Sequence, residues 1–173
     1  MNSNASGACW RRAARSSPEG LRQSWGIAMK MMQEVIPSGG GPSYAWANDH
    51  ICVKCTCKHA EGRVTVVEDR LKPGFHLACH YHKKMTEIFY ILEGRVTFKF
   101  KDETVVAERG MTINIPPNVT HEVSSAEGAR LITVFSPGGF DQYLAELAKM
   151  SEAQFADAKL MRQLAEKYDT WMV

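Results

Sequence analysis

Between Tyr44 and Phe135 apolar and polar residues alternate with a period near two, in short runs broken by turn residues. That pattern predicts half-buried strands over Ile51–Cys57, Val64–Leu71, His76–His82, Glu87–Leu92, Arg95–Phe100, Thr104–Ala107, Met111–Ile115, His121–Ser124 and Leu131–Phe135. Val96, Phe98 and Phe100, for instance, oppose Thr97 and Lys99. Glu93-Gly94, Arg109-Gly110 and Pro116-Pro117-Asn118 are among the turn signals between them. One buried face per strand is what two packed antiparallel sheets or a closed barrel require. After Ser136-Pro137-Gly138-Gly139 the period changes to about 3.6, with Phe140, Tyr143, Leu144 and Leu147 on one helical face. A second helix is predicted from Ser151, whose Ser-x-x-Gln154 is a capping box, with an apolar stripe through Phe155, Ala158, Met161, Leu164, Tyr168 and Trp171. The predicted organisation is a disordered N-terminal extension over residues 1–36, a β-barrel over 37–137 and a helical extension over 138–173. That extension is expected to pack on the barrel or on the second chain of a homodimer.

Composition narrows the class of protein. The chain has 173 residues, 45% apolar and 23% charged, which suits one globular domain. A net charge of +2 supplies no basic field for nucleic acid or an anionic membrane, so the expected partner is a small-molecule substrate. No apolar run is long enough to span a bilayer, and no apolar segment follows Arg11-Arg12 as export would need; a cytoplasmic location is expected. The five cysteines are an odd number for a disulfide framework. Cys52, Cys55 and Cys57 lack a second pair to close a zinc site, and alternation puts Ile51, Val53, Cys55 and Cys57 on one strand face as small apolar filler.

The chemistry concentrates in two segments. His80 and His82 stand two apart on a predicted strand, so both imidazoles project from one face. Glu87 opens the next strand after the Lys83-Lys84 corner, and His121 follows a Pro-rich turn on a later strand. Burying a carboxylate among histidines without a cation costs several kcal/mol in desolvation, about the scale at which a site needs a metal. The set His80, His82, Glu87 and His121 therefore reads as ligands of one divalent transition metal per chain, Fe(II) first in order, with Mn, Co, Ni, Cu and Zn also suited. His76 shares the predicted strand face and is assigned an edge role rather than a fifth ligand; His50 and His59 lie outside the set.

The spacing of these segments resembles the two motifs of the cupin superfamily. Gly74, His80, His82, Glu87 and Gly94 match the first, and Gly110, Pro116 and His121 the second, where Asn118 stands for a glycine and Ser125 for an asparagine. The stretch from Phe135 to Leu147 is similar to the tails of single-domain cupins grouped with quercetin 2,3-dioxygenases. The resemblance implies an all-β double-stranded β-helix, or jelly-roll, barrel with C-terminal helices and the metal inside it. It also implies a dioxygenase acting on a small phenolic or enolic compound, with Glu87 as the catalytic residue. A metal-dependent lyase or isomerase with Glu87 as base, and a non-catalytic binding cupin, are the alternatives. Parity adds that Phe89 and Ile91 point inward with Glu87.

Overall fold

The structure, a computed structural model, describes residues 33–46 and 48–173. The expected N-terminal extension, and with it Cys9, lies outside the described residues apart from its last four positions. Strands β1 (Ser43–Trp46), β2 (Asp49–Cys55), β3 (Thr65–Leu71) and β4 (Phe75–Tyr81) lead into β5 (Thr86–Lys99). Then come β6 (Thr104–Glu108), β7 (Thr112–Ile115), β8 (His121–Ser125) and β9 (Ala129–Ser136). Helices α1 (Phe140–Leu147), α2 (Glu152–Ala156) and α3 (Ala158–Lys167) precede a short β10 (Trp171–Met172). Every pairing is antiparallel, in the order β1-β2-β3-β9-β5-β8-β4-β10, with β6 and β7 also on β5.

The long β5 closes the jelly roll. Its first half pairs with β7 and β9, and its second half with β6 and β8, so one strand serves both sheets. The Glu93-Gly94 signal, read from sequence as a turn between two strands, is instead a register shift within this one strand. A bulge turns the strand without ending it. Gly94 has φ 76°, and a Cβ there would meet the Gly128 carbonyl oxygen at 2.5 Å, so the bend needs a residue with no side chain.

Parity along β5 is as expected: Glu87, Phe89 and Ile91 are buried, and Tyr90 is exposed. Phe89 and Phe98 meet edge to face at 4.9 Å between sheets, among Ile91, Val96, Val123 and Leu131. Elsewhere the pattern misleads. Cys52, on the opposite face, is as buried as Val53; the β2–β3 register shifts between Val53 and Cys55, and Cys57 falls beyond the end of β2. β1, absent from the predicted strands, follows a Pro/Gly-rich stretch and pairs with β2.

The helices seat against the barrel through α1. Phe140 stacks on Phe135 at 4.0 Å, and Asp141 accepts hydrogen bonds from the Thr65 hydroxyl and the Cys57 amide. The Ser151 capping box forms, but the expected single helix breaks at Asp157, whose carboxylate accepts from the Lys159 and Leu160 amides and starts α3. Trp171, expected on the helical stripe, lies on β10 against β4. Among the described residues no helix is long and apolar enough to cross a membrane. Replacing Gly94 with alanine should lower unfolding free energy by about 2 kcal/mol or more through strain and the Gly128 contact; an unchanged denaturant midpoint would count against a required bulge.

Candidate metal centre

The four sequence-predicted ligands converge. His80 and His82 come from the end of β4 and its exit, Glu87 from the start of β5 and His121 from the start of β8, with His80 facing His121 across the β4–β8 pair. One donor atom from each lies within 4.8 Å of the others, and all four residues are at most 4% exposed. His82 Nε2 is 3.3 Å and His121 Nε2 3.1 Å from Glu87 Oε2. Bonds of about 2.1 Å to one ion would place neighbouring donors about 3.0–3.4 Å apart.

The backbone sets the tautomers. His80 Nδ1 lies 2.9 Å from the Ala78 carbonyl, His82 Nδ1 2.8 Å from that of Asp169, and His121 Nδ1 3.0 Å from that of Val119. A carbonyl only accepts, so each Nδ1 carries the proton and each neutral ring keeps a lone pair on Nε2. Three lone pairs and a carboxylate in one buried space have no mutual donor. A divalent cation satisfies all four at once, and on that ground the residues fit a metal. Without one, Glu87 is ionised only with histidine protons for company. Burial raises its pKa, but the His121 and His82 rings against its Oε2 outweigh it and hold the carboxyl down at about 2. Burial, with the neighbouring His121, pushes His80 down to about 4.

Other expected residues lie elsewhere. His76 is on the cavity rim, 3.3 Å from Glu122, and the expected inward face of β4 holds only from His80 onward, because the β4–β8 register shifts between Leu77 and His80. His59 pairs with Glu34, and His50 lies beside Cys52. The glycine-like turn survives in Asn118, at φ 66°, whose amide donates to the His82 carbonyl. Ser125, at the other departure from the motif, is buried and donates to the Arg95 carbonyl.

Sequence reading missed Asp169. Besides its carbonyl contact to His82, its carboxylate accepts from the Lys83, Lys84 and Met85 amides, tying the C-terminal segment to the β4–β5 corner between three of the ligands. Lys83 sits 3.0 Å over the Trp171 ring in the same corner. Asp169 has φ 60°, a conformation that Asp and Asn adopt more readily than most residues. That preference was the available signal; its partners lie more than eighty residues away.

Glu87 also lines a cavity of about 610 Å³ inside the barrel, bounded by Phe89, Leu131 and Phe135 and closed over by Phe140, Leu144 and Phe155 from the helices. Residues 67–135 match the Cupin domain family. That stretch, β3 to β9, is similar to a cupin domain. The chain is 25% identical over 114 residues to quercetin 2,3-dioxygenase of Bacillus subtilis, an alignment covering 65% of this chain and 34% of that protein. The chain thus spans about a third of that relative's length. In fold it is similar to KdgF from Halomonas sp. (TM-score 0.56, 15% identity, 63% of this chain and 99% of that one) and to an RmlC-like cupin from Shewanella frigidimarina (0.55, 19%, 64% and 96%). Ectoine synthase from P. lautus is a further structural neighbour (0.51, 15%, 76% and 80%).

His80→Ala and His121→Ala should lose most bound metal by elemental analysis, whereas Cys55→Ser should retain it; the reverse pattern would refute the ligand set. Asp169→Ala keeps the carbonyl on His82 but frees the Lys83, Lys84 and Met85 amides that hold that carbonyl in place, and should weaken metal affinity about 10-fold in a folded protein. Wild-type affinity in that variant would show that the carboxylate clamp does not support the site.

Proposed function

We propose that this cupin is a metal-dependent dioxygenase that adds both atoms of dioxygen to a small phenolic or enolic compound. The observation that carries the reading is Glu87: a buried, ionised carboxylate within the histidine cluster that is also the ligand facing a largely apolar cavity. The B. subtilis relative supports the reaction class. A divalent transition metal bound by the four residues would supply Lewis acidity toward an enolic oxygen and, if redox-active, a path for electrons to dioxygen.

The chain's own contribution follows from the geometry. Glu87, the one of the four that lines the cavity, is placed to accept the hydroxyl proton of an enol or phenol entering it. His80, His82 and His121 are held by backbone carbonyls and do not turn to compete for that proton. Phe89, Phe135 and Phe140 present apolar surface to the body of the compound and exclude water from its reacting end. The substrate provides all the electrons for dioxygen, so no reductant is required.

After chelation and reloading with Fe, Mn, Ni or Cu in turn, at least one form should consume oxygen with a flavonol or β-diketone. Glu87→Gln should lose activity by about 100-fold or more. No oxygen uptake with any such pairing would overturn the reading, and full turnover without oxygen would replace it with a lyase or isomerase in which Glu87 is the base.

A further inference from the structure

The cavity above Glu87 has a second polar end. Ile51, Leu71 and Leu131 make its wall apolar there, yet Asp49, Asp69 and Thr133 line it too. Asp69 shares the buried face of β3 with Val67 and Leu71 and is itself 7% exposed. A carboxylate at a core position is costly unless compensated. Compensation here is partial: Thr133 Oγ1 donates to Asp69 Oδ2 at 2.5 Å, engaging one of its two oxygens. Asp49 Oδ1 is enclosed with no hydrogen-bond partner, one of two such side-chain atoms among the described residues. An enclosed acceptor with no donor, on a side chain that lines a cavity, is the arrangement a ligand's donor would complete.

Register separates the two polar ends. Glu87 pairs with Phe135, and Phe135 with Thr65, four residues before Asp69 on β3. Phe89, Thr133 and Val67 form the level between them. A ligand presenting one oxygen to Glu87 would lay its body along Phe89 and bring its far end to the aspartates. A cavity of about 610 Å³ has room for a compound of two or three rings.

We propose that Asp49 and Asp69 receive a hydroxyl on the ligand, remote from the atoms presented to Glu87, so that the cavity selects aromatic compounds with a second hydroxyl over equally apolar ones without it. The inference rests on reading the cavity as a pocket for phenolic or enolic compounds. A hydroxyl suits the site better than an ammonium group. Burial pushes Asp49 up to about 6 and Asp69 well above the usual carboxylate range, the latter reinforced by the Asp49 charge, so the pair carries less than its full negative charge near neutral pH. A neutral donor also crosses the apolar wall without the desolvation cost of an ion.

The test compares 3-hydroxyflavone with 3,4′-dihydroxyflavone, which differ by one distal hydroxyl, binding to metal-free and to zinc-loaded protein as followed by their fluorescence. Neither arm needs turnover, so discrimination without oxygen uptake would defeat the dioxygenase reading and leave this one intact. Wild type should bind the dihydroxy compound at least about ten-fold tighter. In Asp49→Leu the preference should fall toward unity while the thermal midpoint rises, because an unsatisfied buried acceptor has been removed. Asp69→Asn, nearly isosteric, guards against misfolding and should also reduce the preference. A preference unchanged in both variants, or a wild type that binds the two probes equally or not at all, would overturn the assignment.

Discussion

The structure is organised around a buried carboxylate. Glu87 sits at the start of β5 with His82 and His121 Nε2 atoms within 3.3 Å of its Oε2, and every imidazole is already committed through Nδ1 to a backbone carbonyl. In that state the four side chains present only acceptors to one another. Such a cluster is a folding liability without a cation and a preorganised site with one. The end of β4, the start of β5 and the start of β8 must meet at this point for the donors to converge, so the crossing of the jelly roll and the chemistry share one geometric requirement.

Orientation of the histidines is local for two of them and remote for the third. His80 and His121 each use the carbonyl two residues earlier on their own chain segment, which ties ring direction to the backbone that carries it. His82, past the end of β4, relies on Asp169 after α3. The C-terminal segment thereby acts on the site although its sequence contributes no ligand. The helices have a second role as cover, since Phe140 and Leu144 of α1 close the cavity that Glu87 faces. Between Glu87 and the Asp49–Asp69 pair lie Phe89 and Thr133, whose hydroxyl turns to Asp69, so the cavity is directional rather than uniformly greasy.

The converging His80, His82, Glu87 and His121 and the barrel strands were legible because both are written in short-range spacing: His-x-His on one strand face, Glu87 across a corner, alternation through Phe89 and Ile91. What stayed hidden depends on partners distant in sequence. Glu93-Gly94 reads as a turn, and only pairing with β9 on one side of the bend and β6 and β8 on the other shows a continuous strand. Asp157 sits inside an apolar stripe, and its ability to cap a new helix prevailed over continuing the old one. Trp171 fits a helical period but pairs with Tyr81. Asp69 was the most readable of the missed residues, since an acid between Val67 and Leu71 breaks the inward alternation of β3.

Calorimetric titration of the chelated wild-type chain with a divalent transition metal tests the central claim most directly. The convergence of His80, His82, Glu87 and His121 predicts saturation at one ion per chain, with a thermal midpoint that rises with free metal because the ion binds the folded site. No saturable binding, or binding that leaves the thermal midpoint unchanged, would contradict a buried four-residue metal centre.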